Sequence, residues 1–481
     1  MSNFLFEGPD WSFDLLNKVD NELEPLCKKY SLDIYPNQIE IVSAEQMLDN
    51  YSSVGLPLGY HHWSFGKEFI SLEKQYRMGH MGLAYELVIN SNPCINYLME
   101  ENTMGMQTLV LLHAGLGHNS FFKNNYLFKT WTDAASIIDY LVFAKNYIIQ
   151  CEESYGKLEV ELLLDSCHAL MNYGVDKYKH PKKLSMEKER TLQKEREAFL
   201  QSQVNELWDS IPKKEKTSCD RVFPESPEEN ILYFIEKNAP NLESWQREII
   251  RIVRKIAQYF YPQRQTKLAN EGWATFWHHT LLYDLYDQGK LTDGTMLEVL
   301  MSHSGVISQR PMHPINPYSL AFAMFTDIKR ICENPTIEDK KDFPDIANSN
   351  WIETLNYIMK NYRDESFVSQ FLSPKVIRDQ KLFSIMDHDV MDQYLVTAIH
   401  NDEGYKTVRN LLSDQYNQTG PNIQVHRVLR MTDRTLILRH YRERGRPLNN
   451  NTEEVLKHVN RLWGFPVKLE TVNEDGILET K

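Results

Sequence analysis

The sequence predicts a mainly α-helical protein, with a large multi-helix domain followed by a small C-terminal α/β domain. Apolar residues recur at helical spacing through most of residues 1–415. Beyond that point the spacing changes to the apolar–polar alternation typical of strands. A chain of 481 residues is also long enough to bury an extensive core. We therefore expect a helical domain at residues 1–415 and a ββαβ domain at residues 416–481.

Composition narrows the class of protein. The net charge of −13 and the pI near 5.7 argue against general binding of nucleic acid or of an anionic membrane, because both would repel the chain. The six cysteines form no Cys-x-x-Cys pair, so the sequence indicates neither a zinc ribbon nor a disulfide framework. The chain begins without the features of a signal peptide, and no stretch approaches the roughly 20 apolar residues that span a bilayer. We expect a cytoplasmic protein.

Residues 270–279 form the most informative stretch. If they are helical, Glu271, Thr275 and His278 stand at i, i+4 and i+7 and share one face. Large apolar side chains occupy the other faces, so the polar groups would be taken out of water and would need partners. Those partners are each other, a metal ion or a substrate.

A second group of candidate residues is the pair His113 and His118. Residues five apart point about 140° away from each other on an ideal α-helix. The two imidazoles can therefore meet on one metal ion only if Gly115 and Gly117 break or widen the helix. The alternative is that these are core or helix-capping histidines.

Acidic residues on other predicted helices supply further candidates. Glu86 lies in a predicted helix over residues 76–102, in an otherwise apolar run, where a buried carboxylate would need a cation. Glu152 falls on the inward face of a later helix. Asp165 and His168 have the i, i+3 spacing of carboxylate–histidine metal pairs in helical bundles. The alternative for that pair is a solvated polar stripe.

The loop predicted at residues 302–314 carries His303, Arg310 and His313. We interpret them as a rim that orients an anionic substrate, against the alternative of ordinary loop residues. No chemistry is assigned to the mixed-charge segment at about residues 180–225, which is typical of a solvated helix or an insertion.

The C-terminal domain carries a local excess of arginine, although the chain as a whole is acidic. We interpret Arg427, Arg439 and Arg442 as a surface that docks a protein partner, or alternatively as an intramolecular surface. RNA binding is less favoured because no stacking-aromatic motif accompanies them.

A series of motifs in order along nearly the whole chain resembles the stage V sporulation protein R (SpoVR) family. They are Asn90-Ser91-Asn92-Pro93-Cys94-Ile95, Met99-Glu100-Glu101-Asn102-Thr103-Met104, His118-Asn119, Phe121-Phe122-Lys123-Asn124-Asn125-Tyr126, Asp139-Tyr140-Leu141-Val142-Phe143-Ala144-Lys145-Asn146-Tyr147, Asn270-Glu271-Gly272-Trp273-Ala274-Thr275 and Asn316-Pro317-Tyr318. The resemblance implies a role in spore cortex formation, or in a stress response in relatives that do not sporulate. It also implies a serine-kinase-like protein and a von Willebrand-type domain protein as partners.

A weaker similarity concerns chemistry. Glu271-Gly272-Trp273-Ala274 resembles the helix that supplies the glutamate ligand in gluzincin-type metallopeptidases. Those enzymes carry their general base in an HExxH motif, whereas Ala114 follows His113 here. The hypothesis is a metal-dependent hydrolase acting on a peptide or a peptidoglycan precursor, with zinc, iron or manganese as cofactor. Its alternative is a non-catalytic partner protein that acts with the kinase-like protein.

In this hypothesis the candidate residues take separate roles. The metal ligands are His113, His118 and Glu271, and the catalytic bases are Glu86 and Glu152. The further or outer ligands are Asp165, His168 and His278.

Overall fold

The structure is a computed structural model that describes residues 4–52, 59–78, 86–177, 191, 223–224, 226–309, 314–382, 384–387, 394–398, 400–417, 420–429, 433–442, 448, 450–472 and 478–480. The mainly helical fold class is confirmed. The chain divides into two compact units, one of Met1–Leu162 with Gln258–Thr419 and one of Leu163–Ala257 with Gly420–Lys481. Residues Leu163–Ala257 thus group with the C-terminal residues, which the sequence analysis did not predict. The charged segment predicted at 180–225 lies almost wholly outside the described residues.

The first unit begins with a helix and a small sheet. Helix α1 (Phe13–Tyr30) starts at Ser12, whose side chain accepts a hydrogen bond from the Leu15 amide. Strand β1 (Asn37–Val42) and helices α2 (Ala44–Ser52) and α3 (Trp63–Arg77) follow. The helix predicted over residues 76–102 is wrong, because its second half is a hairpin of β2 (Glu86–Ile89) and β3 (Cys94–Met99). The residues Asn90-Ser91-Asn92-Pro93 form the turn between β2 and β3. Proline cannot continue a helix and disfavours helical backbone in the residue before it, so this segment opposes the predicted helix.

Strand β3 is the centre of this sheet, whose order is β1-β3-β2. It pairs in parallel with β1 and antiparallel with β2, which leaves β2 at an edge. Glu86 is the first residue of that edge strand. The sheet therefore carries the Glu86 side chain to the helices that follow.

A continuous buried helical run comes next. It consists of α4 (Met104–Val110), a π-helix (Leu111–His118) and α5 (Asn119–Asn124). Helices α6 (Tyr126–Trp131), α7 (Ile137–Tyr155) and α8 (Lys157–Ala169) then lead into the second unit.

The helices of the first unit that return after residue 258 enclose this run. They are the end of α10 (Ser244–Gln265), α11 (Lys267–Asp287), α12 (Asp293–Val306), α13 (Pro317–Glu333), α14 (Ile337–Asp342), α15 (Trp351–Asn361), α16 (Asp364–Phe371), α17 (Pro374–Asp379) and α18 (Asp402–Tyr416). A two-stranded antiparallel sheet, β4 (Ser384–Asp387) with β5 (Tyr394–Ala398), precedes α18. No helix within the described residues combines the length and the apolar character needed to cross a membrane.

Helix α11 is the centre of the first unit. Its Trp273 and Trp277 are fully buried and pack edge to face on each other. Its start is fixed by Asp364, whose two carboxylate oxygens accept hydrogen bonds of 2.8 Å from the amides of Leu268 and Ala269. These contacts set the position of the helical turn that follows, which carries Glu271.

The second unit is a sheet with helices. Helix α9 (Ile231–Asn238) and strands β6 (Asn422–Val428), β7 (Leu436–Tyr441), β8 (Val467–Val472) and β9 (Leu478–Thr480) contribute, with α19 (Thr452–Trp463) between β7 and β8. The strand order is β6-β7-β8-β9, and β7 pairs in parallel with β8. The predicted ββαβ arrangement is present, with β9 added.

Two glycines allow helices to approach α11 at backbone distance. A Cβ atom on Gly117 would lie 2.5 Å from the Ala274 Cα and 2.7 Å from its Cβ, and a Cβ on Gly272 would overlap the Ala321 Cβ. In contrast, Gly305 near the end of α12 faces open space. The side chain at each of the first two positions is therefore limited to hydrogen.

We predict that Gly117→Ala and Gly272→Ala each lower the free energy of unfolding by at least 1–3 kcal/mol, the order of magnitude expected for overpacking. The matched control Gly305→Ala should be neutral or stabilising by up to about 1 kcal/mol, because alanine is the better helix former. Urea denaturation of the three variants measures this. Equal behaviour of Gly117→Ala and Gly305→Ala would contradict the close packing.

Candidate functional site

The π-helix brings His113 and His118 together. Its i→i+5 hydrogen bonding stacks residue i over residue i+5, where an α-helix would turn them apart. The two ring centroids lie 4.7 Å apart with the planes at 89°. The predicted condition, a widened helix at Gly115 and Gly117, is thus met. Both imidazoles are 7% exposed, so their nitrogens need partners inside the protein.

Two carboxylates lie near the Nε2 atoms of these rings. The Glu271 Oε2 lies 3.8 Å from the His113 Nε2 and 3.5 Å from the His118 Nε2. The Glu86 Oε1 lies 3.4 Å from the His113 Nε2. One ligand atom each of Glu86, His113 and His118 falls within 4.8 Å of the others. The sheet, the π-helix and α11 therefore deliver two imidazoles and two carboxylates to one place, which we call the His–Glu cluster (Glu86, His113, His118, Glu271).

Both rings of the cluster are held from behind through the other nitrogen. The His118 Nδ1 lies 3.0 Å from the Asn270 Oδ1, and the His113 Nδ1 lies 2.8 Å from the His278 Nδ1. Because an amide oxygen only accepts, His118 carries its proton on Nδ1 and keeps a lone pair on Nε2. Outer hydrogen bonds of this kind orient the imidazole ligands of protein metal sites.

The hydrogen-bonded series continues beyond His278. Its Nε2 lies 2.8 Å from the Nδ1 of His303, which is 5% exposed. The prediction that His303 belongs to a loop at the rim of the site is wrong, because α12 continues to Val306 and holds the ring inside the fold. Among the described residues the His303 Nε2 finds no hydrogen-bond partner.

The environments of the two carboxylates push their pKa values apart. Burial raises the pKa of Glu86 to about 7, with His113 opposing this effect and Glu271 adding to it. Burial also acts to raise the pKa of Glu271, but His118, His113 and a hydrogen bond from the Tyr318 hydroxyl outweigh it and lower that pKa. Glu271 is thus the anionic member of the cluster, and Glu86 exchanges a proton near neutral pH.

A cavity of about 300 Å³ opens beside the cluster. It is lined by Tyr51, Glu86, Leu87, Val88, His118, Phe122, Gln263, Lys267, Asn270, Glu271 and Tyr318. Tyr318 stands in the first turn of α13, which begins where the Asn316 side chain accepts from the Tyr318 amide. A pocket with apolar walls and a few convergent polar groups is typical of a small-molecule or substrate site.

Sequence reasoning missed Asn270 and Tyr318 as functional residues. Both residues belong to motifs that resemble the SpoVR family. Asn270 directly precedes Glu271, and Tyr318 directly follows Asn316-Pro317. The signal that could have found Asn270 is its place on the same helical turn as Glu271. For Tyr318 no local signal exists, because only the packing of α13 on α11 brings its hydroxyl to Glu271.

Three further predicted residues, Glu152, Asp165 and His168, are not among the possible metal ligands that the described part of the chain brings together. Glu152 is half-buried on α7, outside the group of possible ligands that the described residues form. Asp165 and His168 belong to the second unit, where Asp165 acts electrostatically on His458. Arg310 and His313 lie outside the described residues.

The predicted docking arginines are partly engaged within the second unit. Arg439 donates to the Glu470 Oε2 at 2.7 Å, and Arg427 lies 3.9 Å from the Glu470 Oε1. The backbone amide of Arg442 donates to the Val472 carbonyl, and the residue is exposed.

We predict opposite stability effects for Glu86→Gln and Glu271→Gln in chelator-treated protein. The pKa of Glu86 is raised from 4.5 to about 7, so between these pH values the unfolded chain releases the proton that the folded chain keeps, and stability falls as pH rises. Glu86→Gln removes that penalty. The pKa of Glu271 is lowered, so its carboxylate stabilises the folded state at neutral pH, and Glu271→Gln loses that contribution. The change for Glu86→Gln is on the order of 1–3 kcal/mol at pH 8, and the change for Glu271→Gln has the opposite sign. Denaturation at pH 5 and 8 measures it, and destabilisation of the same size by both variants would contradict the assignment.

Comparison with known proteins agrees with the motifs. Residues 10–421 match the family described as SpoVR like protein, and residues 421–474 match the SpoVR-like C-terminal domain. A relative from Escherichia coli (strain K12), "Uncharacterized protein YcgB", is 60% identical over 485 residues, which cover 99% of this chain and 95% of the relative. No solved structure matches the chain at a significant level. Matches of this extent establish that the chain belongs to the SpoVR family.

Proposed function

We propose that the His–Glu cluster binds one divalent cation and that the protein is a metal-dependent hydrolase. The observation that carries the proposal is the orientation of the two imidazoles. Both direct Nε2 toward Glu271 at 3.5 and 3.8 Å, while Nδ1 of each is held by a second polar group. Two imidazoles and a carboxylate with a free position are the ligand set of hydrolytic zinc sites.

The type of donor limits the choice of metal. Imidazole with carboxylate suits zinc, iron and manganese, and the cluster contains no thiolate that would favour softer ions. Calcium and magnesium prefer sites made wholly of oxygen. We therefore propose zinc, iron or manganese, with His113, His118 and Glu271 as ligands.

The residues around the ligands suit hydrolysis. A bound divalent cation supplies a water of lowered pKa and polarises a substrate carbonyl. Glu86, with its pKa raised to about 7, accepts the proton of the attacking water and returns it to the leaving group. The Tyr318 hydroxyl stands on the cavity wall beside Glu271. Once a cation balances the Glu271 charge, this hydroxyl would turn its one hydrogen from Glu271 to the substrate oxygen that becomes negative.

The substrate that we propose is a peptide, or the peptide part of a peptidoglycan precursor. A cavity of about 300 Å³ is at the small end of ligand pockets, which fits one or two residues of a chain rather than a whole polymer. Lys267 on the cavity wall supplies a cation for a substrate carboxylate. This choice also agrees with the link to the spore cortex, or to a stress response, that the family name implies.

We predict that the purified protein contains close to one zinc, iron or manganese per chain, measured by elemental analysis. A His118→Ala, Glu271→Ala variant should lose at least nine-tenths of the metal while retaining its far-UV circular dichroism. The matched control is Asp165→Asn, His168→Gln, which alters the other predicted acid–imidazole pair and should keep the wild-type content. Wild-type protein that takes up no metal after dialysis against each ion in turn would rule out the site.

We predict that metal-loaded protein hydrolyses short peptides or muropeptides, as followed by mass spectrometry. Glu86→Gln should lower kcat by about 10²- to 10⁴-fold, the usual contribution of a general base, with its metal content unchanged. Tyr318→Phe should lower kcat by about 10²-fold with a smaller effect on KM. A Glu86→Gln variant with wild-type kcat would contradict the role of Glu86.

A further inference from the structure

Beyond the proposed ligands, three buried imidazoles form one hydrogen-bonded series. We call it the histidine chain (His113, His278, His303). The His113 Nδ1 and the His278 Nδ1 are 2.8 Å apart, and the His278 Nε2 and the His303 Nδ1 are also 2.8 Å apart. The three rings are 7%, 3% and 5% exposed, and they come from the π-helix, α11 and α12. Neither His278 nor His303 is needed to supply a metal ligand.

The positions of the protons in this chain are not independent. A neutral imidazole has one N–H, and each of the two N···N contacts needs one proton between its nitrogens. If His113 carries its proton on Nε2, then His278 and His303 must both carry theirs on Nδ1. If His113 carries it on Nδ1, then His278 and His303 must both carry theirs on Nε2. When all three rings are neutral, the histidine chain therefore has two states, and a change in any ring requires a change in all three.

The surroundings keep the outer two rings neutral. His278 is 3% exposed, and both of its ring nitrogens face other imidazoles rather than a carboxylate that would favour imidazolium. Burial together with His279 and His113 lowers the pKa of His303 to about 4. His279 and Phe322 face the His303 ring, and neither supplies an anion that would favour imidazolium. Each outer ring therefore has only one proton to place.

We infer that the histidine chain couples the tautomer of His113 to that of His303, so that His278 and His303 act as positioning residues for the cluster. A cation on the His113 Nε2 requires a lone pair there, which selects the state with N–H on the His303 Nε2. The second half of this inference rests on the proposed function, whereas the tautomer coupling does not. In that state the proton lies on the His303 Nε2, which is buried and has no hydrogen-bond partner among the described residues.

The change between the states conserves protons. The proton on the His113 Nε2 leaves to the Glu86 carboxylate or to water. The proton on the His278 Nδ1 crosses to the His113 Nδ1, and the proton on the His303 Nδ1 crosses to the His278 Nε2. The His303 Nε2 takes up one proton from water. The three rings hold three protons before and after, and one proton has in effect passed along the chain.

Substitution at position 303 tests the role of the nitrogen rather than of the ring. His303→Phe keeps a ring to pack on His279 and Phe322 but leaves the His278 Nε2 without a partner, so metal affinity should fall by about 10- to 100-fold, as for other outer-shell losses. His303→Asn is smaller but places an amide oxygen near the former Nδ1, so its affinity should stay within about threefold of wild type. The matched control His279→Phe, a ring outside the chain, should leave affinity unchanged.

The affinities are measured by competition of a chromophoric chelator for Zn²⁺, with thermal denaturation as the check on folding. A role in packing alone would make His303→Asn at least as harmful as His303→Phe, because asparagine leaves a cavity. That order of affinities would overturn the proposal.

A measurement without metal separates this inference from the proposed function. Nitrogen-15 NMR of histidine-labelled, chelator-treated protein reports which nitrogen of each ring carries the proton, with assignment by the single variants. The coupling requires that one of two atoms, the His113 Nδ1 or the His303 Nδ1, carries a proton and the other does not. It also requires His303→Phe to change the proton occupancy of the His113 Nδ1. Protons on both of these Nδ1 atoms, or on neither, would overturn it. If the protein binds no metal but shows a coupled pattern, the proposed function fails and the coupling stands.

Discussion

The whole site depends on the contact between the π-helix and α11, where Gly117 meets Ala274 at backbone distance. Gly117 lies between His113 and His118 along the π-helix, and Ala274 lies between Glu271 and His278 along α11. This contact places His113 and His118 opposite Glu271 and His278 without room for an intervening side chain. The π-helix is needed as well, since i→i+5 spacing directs both imidazoles to the same side. The arrangement thus uses a helix with two fully buried tryptophans, α11, and one irregular helix.

Collecting four imidazoles and two carboxylates inside a protein is energetically unfavourable unless each group is paired. In the structure, both ring nitrogens of His113 and of His118 have polar partners. On one side, Glu271 and Glu86 face the His113 and His118 Nε2 atoms. On the other, Asn270 and His278 hold the Nδ1 atoms. The pKa shifts of the two carboxylates are opposite, so Glu271 keeps its negative charge and Glu86 exchanges a proton. Catalytic carboxylate pairs typically differ in this way.

The sequence predicted the parts of this site that depend on local periodicity. Glu271 and His278 could be placed on one face of α11 because a regular helix fixes that relation. The meeting of His113 and His118 could be predicted only as a condition, because no spacing rule shows whether two glycines widen a helix. Glu86 was expected to need a cation, but its strand was missed because a short apolar run fits helix and strand alike. Asp165 and His168 were predicted from a polar stripe on one helix, and the structure assigns both to the second unit, because a stripe by itself does not show which residues pack against it.

X-ray absorption at the metal edge of the purified protein tests the metal site most directly. For zinc, we predict two imidazole nitrogens at about 2.0–2.1 Å and carboxylate or water oxygen at about 2.0–2.2 Å, with no sulfur. Conversion of His118 to alanine should remove one of the two imidazole contributions from the spectrum. A first shell containing sulfur or only oxygen, or a spectrum unchanged in that variant, would contradict the assignment of the metal to the His–Glu cluster.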